Sequence, residues 1–136
     1  MAEARTLVAG RAEGQVLVLD EPLGFWGGVD PATGEIVDVH HPQAGANVAG
    51  RVLVLPGGRG SSSSSSVFAE AVRAGTAPAA VILLEPDPIL ALGAIVAREL
   101  YGRAIPVVVA DASEIPAAGS TLRVHATLER VVVDPA

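Results

Sequence analysis

The chain contains no cysteine, so disulfide bridges and thiolate metal ligands are both excluded. Its three histidines, His40, His41 and His125, are too few and too scattered to suggest a closed metal site. No cofactor is therefore expected on this chain, and any metal the chemistry needs has to come from elsewhere. Aromatic residues make up 3% of a sequence that is 50% hydrophobic, so Val, Leu, Ile and Ala must fill the core. Lysine is absent, and all nine basic residues are arginine. With a net charge of −6 and no basic stripe, nucleic acid is not an expected partner. No stretch approaches the roughly 18 apolar residues of a membrane span. Met1-Ala-Glu-Ala-Arg5 also lacks the apolar run of a signal peptide. A cytoplasmic location without membrane association is the expectation. At 136 residues the chain is expected to form a single domain, residues 1–136, with a core of its own.

What is present is organised around residues 51 to 70. Val52-Leu-Val-Leu55 reads as a buried strand that stops at Pro56, and Gly57-Gly58-Arg59-Gly60 and six serines, Ser61 to Ser66, follow. From Val67 the spacing turns helical, with Val67, Ala71 and Ala74 along one side. Strand, glycine-rich loop and helix start together make a recurrent anion site. The glycines admit a ligand close to the backbone, and the first helical N–H groups point at it. Arg59 adds a planar positive fork suited to carboxylate or phosphate. Ser61, first after the last glycine, is the hydroxyl best placed to face a ligand. The same composition also fits a flexible Gly/Ser segment capped by a serine, and residues 57 to 66 are expected to be mobile in the isolated chain. The loop lacks the Gly-Lys-Ser/Thr ending of a nucleotide-hydrolysing loop and the spacing of a dinucleotide fingerprint.

Along the rest of the chain, residues 5 to 9 and 13 to 19 read as strands punctuated by Gly10 and Gly14. Asp30-Pro-Ala-Thr-Gly34 fits a tight turn, and Glu35-Ile-Val-Asp-Val39 alternates as an edge strand does. Phe25 and Trp26 are read as plugging one end of a barrel or sandwich. Gly27-Gly28-Val29-Asp30 offers a second wall for the site, with Asp30 holding a substrate group or Arg59. His40-His41-Pro42 reads as a solvated loop. Ala79 to Leu84 is continuously apolar, the mark of a strand buried on both faces. Asp87 and Pro88 are an N-cap and first helical residue for a helix running to about Tyr101. Ile105 to Ala110 is a third buried strand, 117 to 120 a turn, and residues 122 to 126 and 128 to 133 closing strands. The expected class is α/β, with parallel central strands joined by right-handed crossovers and short strands flanking them.

Two family resemblances bear on function. Gly93-Ala-Ile-Val-Ala-Arg-Glu-Leu100 is similar to the segment after the phosphorylated histidine in the phosphohistidine swivelling domain of phosphoenolpyruvate-using enzymes, but that histidine falls on Leu92 here. Leucine has no nitrogen to phosphorylate, so this chemistry is excluded. Four motifs in order resemble another family: Gly10-Arg-Ala-Glu-Gly14, Pro22-Leu-Gly-Phe-Trp-Gly-Gly-Val-Asp-Pro-Ala-Thr-Gly34, Pro56-Gly-Gly-Arg-Gly-Ser-Ser62, and Gly93-Ala-Ile-Val96 followed by Ile105-Pro106. These resemble the small subunit of aconitase X, the swivel-domain partner in a two-chain hydro-lyase. The resemblance implies a swivelling β/β/α domain that is active only with a large subunit carrying an iron or iron–sulfur centre.

It also places the catalytic serine at Ser61, taking a proton from carbon, with Ser62 a second candidate because register in a serine run is ambiguous. Gly58, Arg59, Gly60, Ser62, Gly28 and Asp30 are the expected substrate-binding residues. A small carboxylate is the expected substrate. The family includes cis-3-hydroxy-L-proline dehydratases and mevalonate 5-phosphate dehydratases, and the arginine-only, alanine-rich composition favours the former. A non-catalytic module that binds an anion or a partner through the same loop is the alternative.

Overall fold

Three short, wholly apolar runs build the middle of the molecule, because each must bury both faces of an extended strand. A computed structural model describes residues 4–111 and 117–136; the signal-peptide expectation therefore rests partly on residues 1–3, outside the described residues. The elements in chain order are β1 (Arg5–Val8), β2 (Gly10–Val18), a helical turn α1 (Phe25–Gly28), β3 (Val52–Leu55), α2 (Ser64–Ala74), β4 (Ala80–Leu83), α3 (Pro88–Tyr101), β5 (Val107–Val109), β6 (Thr121–Ala126) and β7 (Val131–Pro135). They form a seven-stranded sheet in the order β1-β5-β4-β3-β2-β6-β7. β2, β3, β4 and β5 run parallel, while β1, β6 and β7 are antiparallel to their neighbours. The α/β class with a parallel centre and short flanking strands is thus the one observed.

Alternate side chains of the central strands enter two separate cores. Leu53, Leu55, Val81, Leu83 and Val107 meet α2 and α3 through Phe68, Val72, Leu90 and Ala94. Val52, Val54, Ala80, Ile82 and Val108 face the other way, toward Leu122, Val124, Ala126 and Val131. β2 makes the second core possible. Its residues 10–15 pair with β6 and its residues 16–18 pair with β3, so one long strand carries the sheet around a bend.

Several boundaries differ from the sequence reading. β2 begins at Gly10 and continues through Gly14, and both glycines act as points of close approach. A Cβ at Gly14 would overlap the Gly50 carbonyl oxygen, and one at Gly10 would lie 3.1 Å from Pro106. Residues 35–39 form no strand; only isolated bridges Val29–Ile36 and Glu35–Asn47 occur there. α2 starts at Ser64, a turn earlier than the apolar spacing indicates. α3 starts at its expected cap: the Asp87 carboxylate accepts from the Ile89 and Leu90 N–H groups, at 2.9 and 3.4 Å; at the other end Gly102, not singled out from the sequence, closes the helix at φ 67°. The two helices pack closely because Gly93 has no side chain; a Cβ there would lie 2.8 Å from the Ser65 oxygen.

Candidate active site

The glycine-rich loop leaves β3 at Leu55 and runs beside the segment that precedes α1. Leu23 N–H donates to the Gly57 carbonyl at 3.2 Å, and Leu23 bridges Gly58 in parallel fashion. Glycine is required on both segments, at Gly24 by their mutual approach and at Gly58 by the Asp87 side chain. A Cβ at Gly24 would overlap the Arg59 carbonyl oxygen, and one at Gly58 would overlap the Asp87 carboxylate. Gly60 then turns the chain at φ 88°, a left-handed geometry that favours glycine, and delivers Ser61 ahead of α2.

The serine run is differentiated residue by residue. Ser61 Oγ accepts from the Ser63 N–H at 3.1 Å. Ser64, buried, accepts from the Trp26 N–H at 3.0 Å and so ties α1 to the start of α2. Ser65 Oγ donates to the Ser62 carbonyl at 2.9 Å. Below this contact Phe25, fully buried, stands edge-on to Phe68 with centroids 5.1 Å apart. Phe25 is therefore the plug, whereas Trp26 is 63% exposed; the expectation for Trp26 was wrong because backbone at Trp26 and Gly27 leaves helical geometry and turns the indole outward.

Gly24, Trp26, Gly27, Gly28, Asp38, Arg59, Gly60 and Ser61 line an open depression of about 390 Å³. Arg59, Gly60, Ser61 and Gly28 are thus brought together. Gly58 lies beneath, packed on Asp87, and Ser62 is exposed beside the lining residues. Asp30 does not join them: its carboxylate accepts from the Ala32 N–H at 2.9 Å within its own turn. Arg59 pairs with Glu21 at 3.5 Å, both side chains about half exposed, and not with Asp30. The carboxylate at the depression is Asp38, which sequence reasoning passed over. Its signal was the Asp-Val-His spacing of an Asx-turn, with Asp38 Oδ1 accepting from the His40 N–H at 3.0 Å.

His41 is buried, not solvated as expected. Its Nδ1 accepts from the Gln43 N–H at 3.0 Å, so Nε2 carries the proton and donates to the Glu21 carbonyl at 3.1 Å. Among the described residues no three His, Cys, Asp or Glu side chains gather as a metal site. Leu92, at the phosphohistidine position, lies half exposed on α3 in an apolar groove with Pro88 and Ile95. On the solvent-facing side of α2 a hydrogen bond from Arg73 holds the pKa of the Glu70 carboxyl below the usual range and raises that of Arg73 in turn. They lie outside the depression.

Chemically, the arrangement offers one hydroxyl, one guanidinium and one carboxylate around a small hollow. The Ser63 N–H and the α2 N-terminus both favour negative charge on Ser61 Oγ. Such a surface binds a small charged ligand and, given an electrophile opposite, can move a proton. A mixed sheet with α2 and α3 packed on one face and this serine-bearing loop leaving its central strand defines an α/β domain. Residues 1–133 match the model of the aconitase X swivel domain, and the chain belongs to that family.

It is 57% identical over 103 residues to a cis-3-hydroxy-L-proline dehydratase of Pseudomonas aeruginosa, covering 76% of this chain and 18% of that protein. It is 47% identical over 95 residues to a phosphomevalonate dehydratase small subunit of Methanothermobacter thermautotrophicus, covering 70% and 72%. The crystal structure of Thermococcus kodakaraensis aconitase X in its holo-form superposes with a TM-score of 0.83 at 38% identity, covering 96% of this chain and 95% of that one. The first curated relatives are much longer proteins, of which the chain spans 18% and 17%. No helix among the described residues is long and apolar enough to cross a membrane.

Proposed function

We propose that this chain is the swivel component of a hydro-lyase acting on cis-3-hydroxy-L-proline. The observation that carries the substrate is the 57% identity over 103 residues to the Pseudomonas dehydratase. Ser61 is the base. As alkoxide, its Oγ takes the proton from the substrate carbon, the C–H electron pair forms the new C=C bond, and the neighbouring C–O bond breaks to release hydroxide. An iron or iron–sulfur centre on the large subunit would take up that hydroxide. The Ser63 N–H, the α2 N-terminus and Arg59 stabilise the alkoxide, which is far too basic to persist in water. Arg59 and the Gly58–Gly60 backbone receive the substrate carboxylate, and Ser62 flanks them. The chain works as one cytoplasmic domain, 1–136, paired with a large subunit as a heterodimer.

A second reading has its own support. Relatives named as small subunits include phosphomevalonate dehydratases, and the chain covers 72% of the Methanothermobacter one. Against it stands the net charge of −6, which gives a phosphate little attraction on this chain. The test is an anaerobic assay of the chain combined with its large subunit, offered cis-3-hydroxy-L-proline and mevalonate 5-phosphate separately. Turnover of the first is expected. Turnover of only the second would overturn the substrate and keep the mechanism, and turnover of neither by a complex with an intact iron centre would overturn the proposal.

A further inference from the structure

The depression presents a cationic and an anionic side chain to one small space. Arg59 answers a carboxylate; nothing in the reaction just described uses Asp38, although Asp38 lines the same hollow as Arg59 and Ser61. Asp38 is held firmly. Its Oδ1 accepts from the His40 N–H at 3.0 Å, its N–H donates to the Gly28 carbonyl at 3.4 Å, and its carbonyl accepts from the His41 N–H at 3.0 Å. His41 in turn is fastened to the Glu21 carbonyl, and the Glu21 side chain pairs with Arg59. One strap thus fixes both charged walls before a ligand arrives, which lowers the cost of ordering them on binding. The His40 contact uses one acceptor position of the carboxylate and leaves further lone pairs for a ligand.

We infer that Asp38 recognises the ammonium group of an amino-acid substrate, its carboxylate accepting a charge-assisted hydrogen bond from the substrate nitrogen. The inference rests on the hydroxyproline reading above and adds a specificity residue to it. Trp26, exposed and lining the same hollow, offers apolar surface to the ring of such a zwitterion. A substrate without a cationic nitrogen would leave Asp38 unpaired beside its own negative groups.

The test is Asp38→Asn in the complete two-subunit complex. Asparagine keeps the side-chain oxygen that receives the His40 N–H, so the strap can remain while the charge is lost. The KM for cis-3-hydroxy-L-proline should rise about ten-fold, the difference between a charge-assisted and a neutral hydrogen bond. Competitive inhibition by cyclopentanecarboxylate, whose ring has no nitrogen to donate to residue 38, should weaken by less than about two-fold, because it never gained that charge-assisted bond. A KM within about two-fold of wild type would overturn the inference alone, as would an equal weakening of substrate and inhibitor, which marks a merely structural role. A wild-type complex that does not turn over cis-3-hydroxy-L-proline would overturn the underlying reading and this inference with it.

Discussion

Gly58→Ala adds a single methyl group and should cost far more than its size suggests. The new Cβ would overlap the Asp87 carboxylate, which is buried and already engaged as the N-cap of α3 through Ile89 and Leu90. Gly58 does not have a positive φ, so the effect is steric and not a matter of backbone strain. Overpacking at such a contact costs about 1–3 kcal/mol, and displacing a capping aspartate about 1 kcal/mol more. The sum, about 2–4 kcal/mol, would lower the melting temperature by roughly 8–16 °C at about 4 °C per kcal/mol for a domain of this size.

Urea denaturation of the chain with linear extrapolation measures the difference. Gly57→Ala is the control, because a Cβ there meets nothing within 4 Å; it should stay within about 0.5 kcal/mol of wild type. The double variant Gly58→Ala/Asp87→Ala should cost at least about 1 kcal/mol less than the sum of the single ones, since removing the carboxylate removes the overlap. Strict additivity, or Gly58→Ala as stable as Gly57→Ala, would refute the reasoning.

Ser64→Ala leaves the Trp26 N–H without its buried acceptor and should cost about 1–3 kcal/mol by denaturation, whereas exposed Ser66→Ala stays near wild type. Gly93→Ala gains about 1 kcal/mol of helix propensity. The added Cβ would lie 2.8 Å from the Ser65 oxygen and 3.0 Å from Phe68 Cβ, so a net loss of stability in a thermal melt is expected; a more stable variant would mean the helices can move apart.

The core strands were readable in the chain because continuous apolar runs have one good solution, burial on both faces of a parallel sheet. The start of α3 was readable for a similar reason: Asp87 and Pro88 each satisfy local backbone demands. Position in a homopolymer is different. Six identical side chains give no periodicity, so neither the true start of α2 nor the buried role of Ser64 could be seen until Trp26 was placed against it. Asp30 and Asp38 each cap a local turn, and only the tertiary contact of residue 38 with the Gly28 carbonyl brings Asp38, and not Asp30, to the depression that Arg59 lines. Likewise His41 looked solvated because its partners, Glu21 and Gln43, include one that is distant along the chain.

The most direct test of the central claim is single-substrate turnover by the two-subunit complex carrying Ser61→Ala. The account predicts that the complex assembles and that kcat falls by about 10²–10⁴-fold, the range lost with a positioned base, while Ser62→Ala retains most activity. Near wild-type turnover by Ser61→Ala would contradict it: together with an inactive Ser62→Ala it would move the base by one residue, and with both variants active it would leave the loop a binding device.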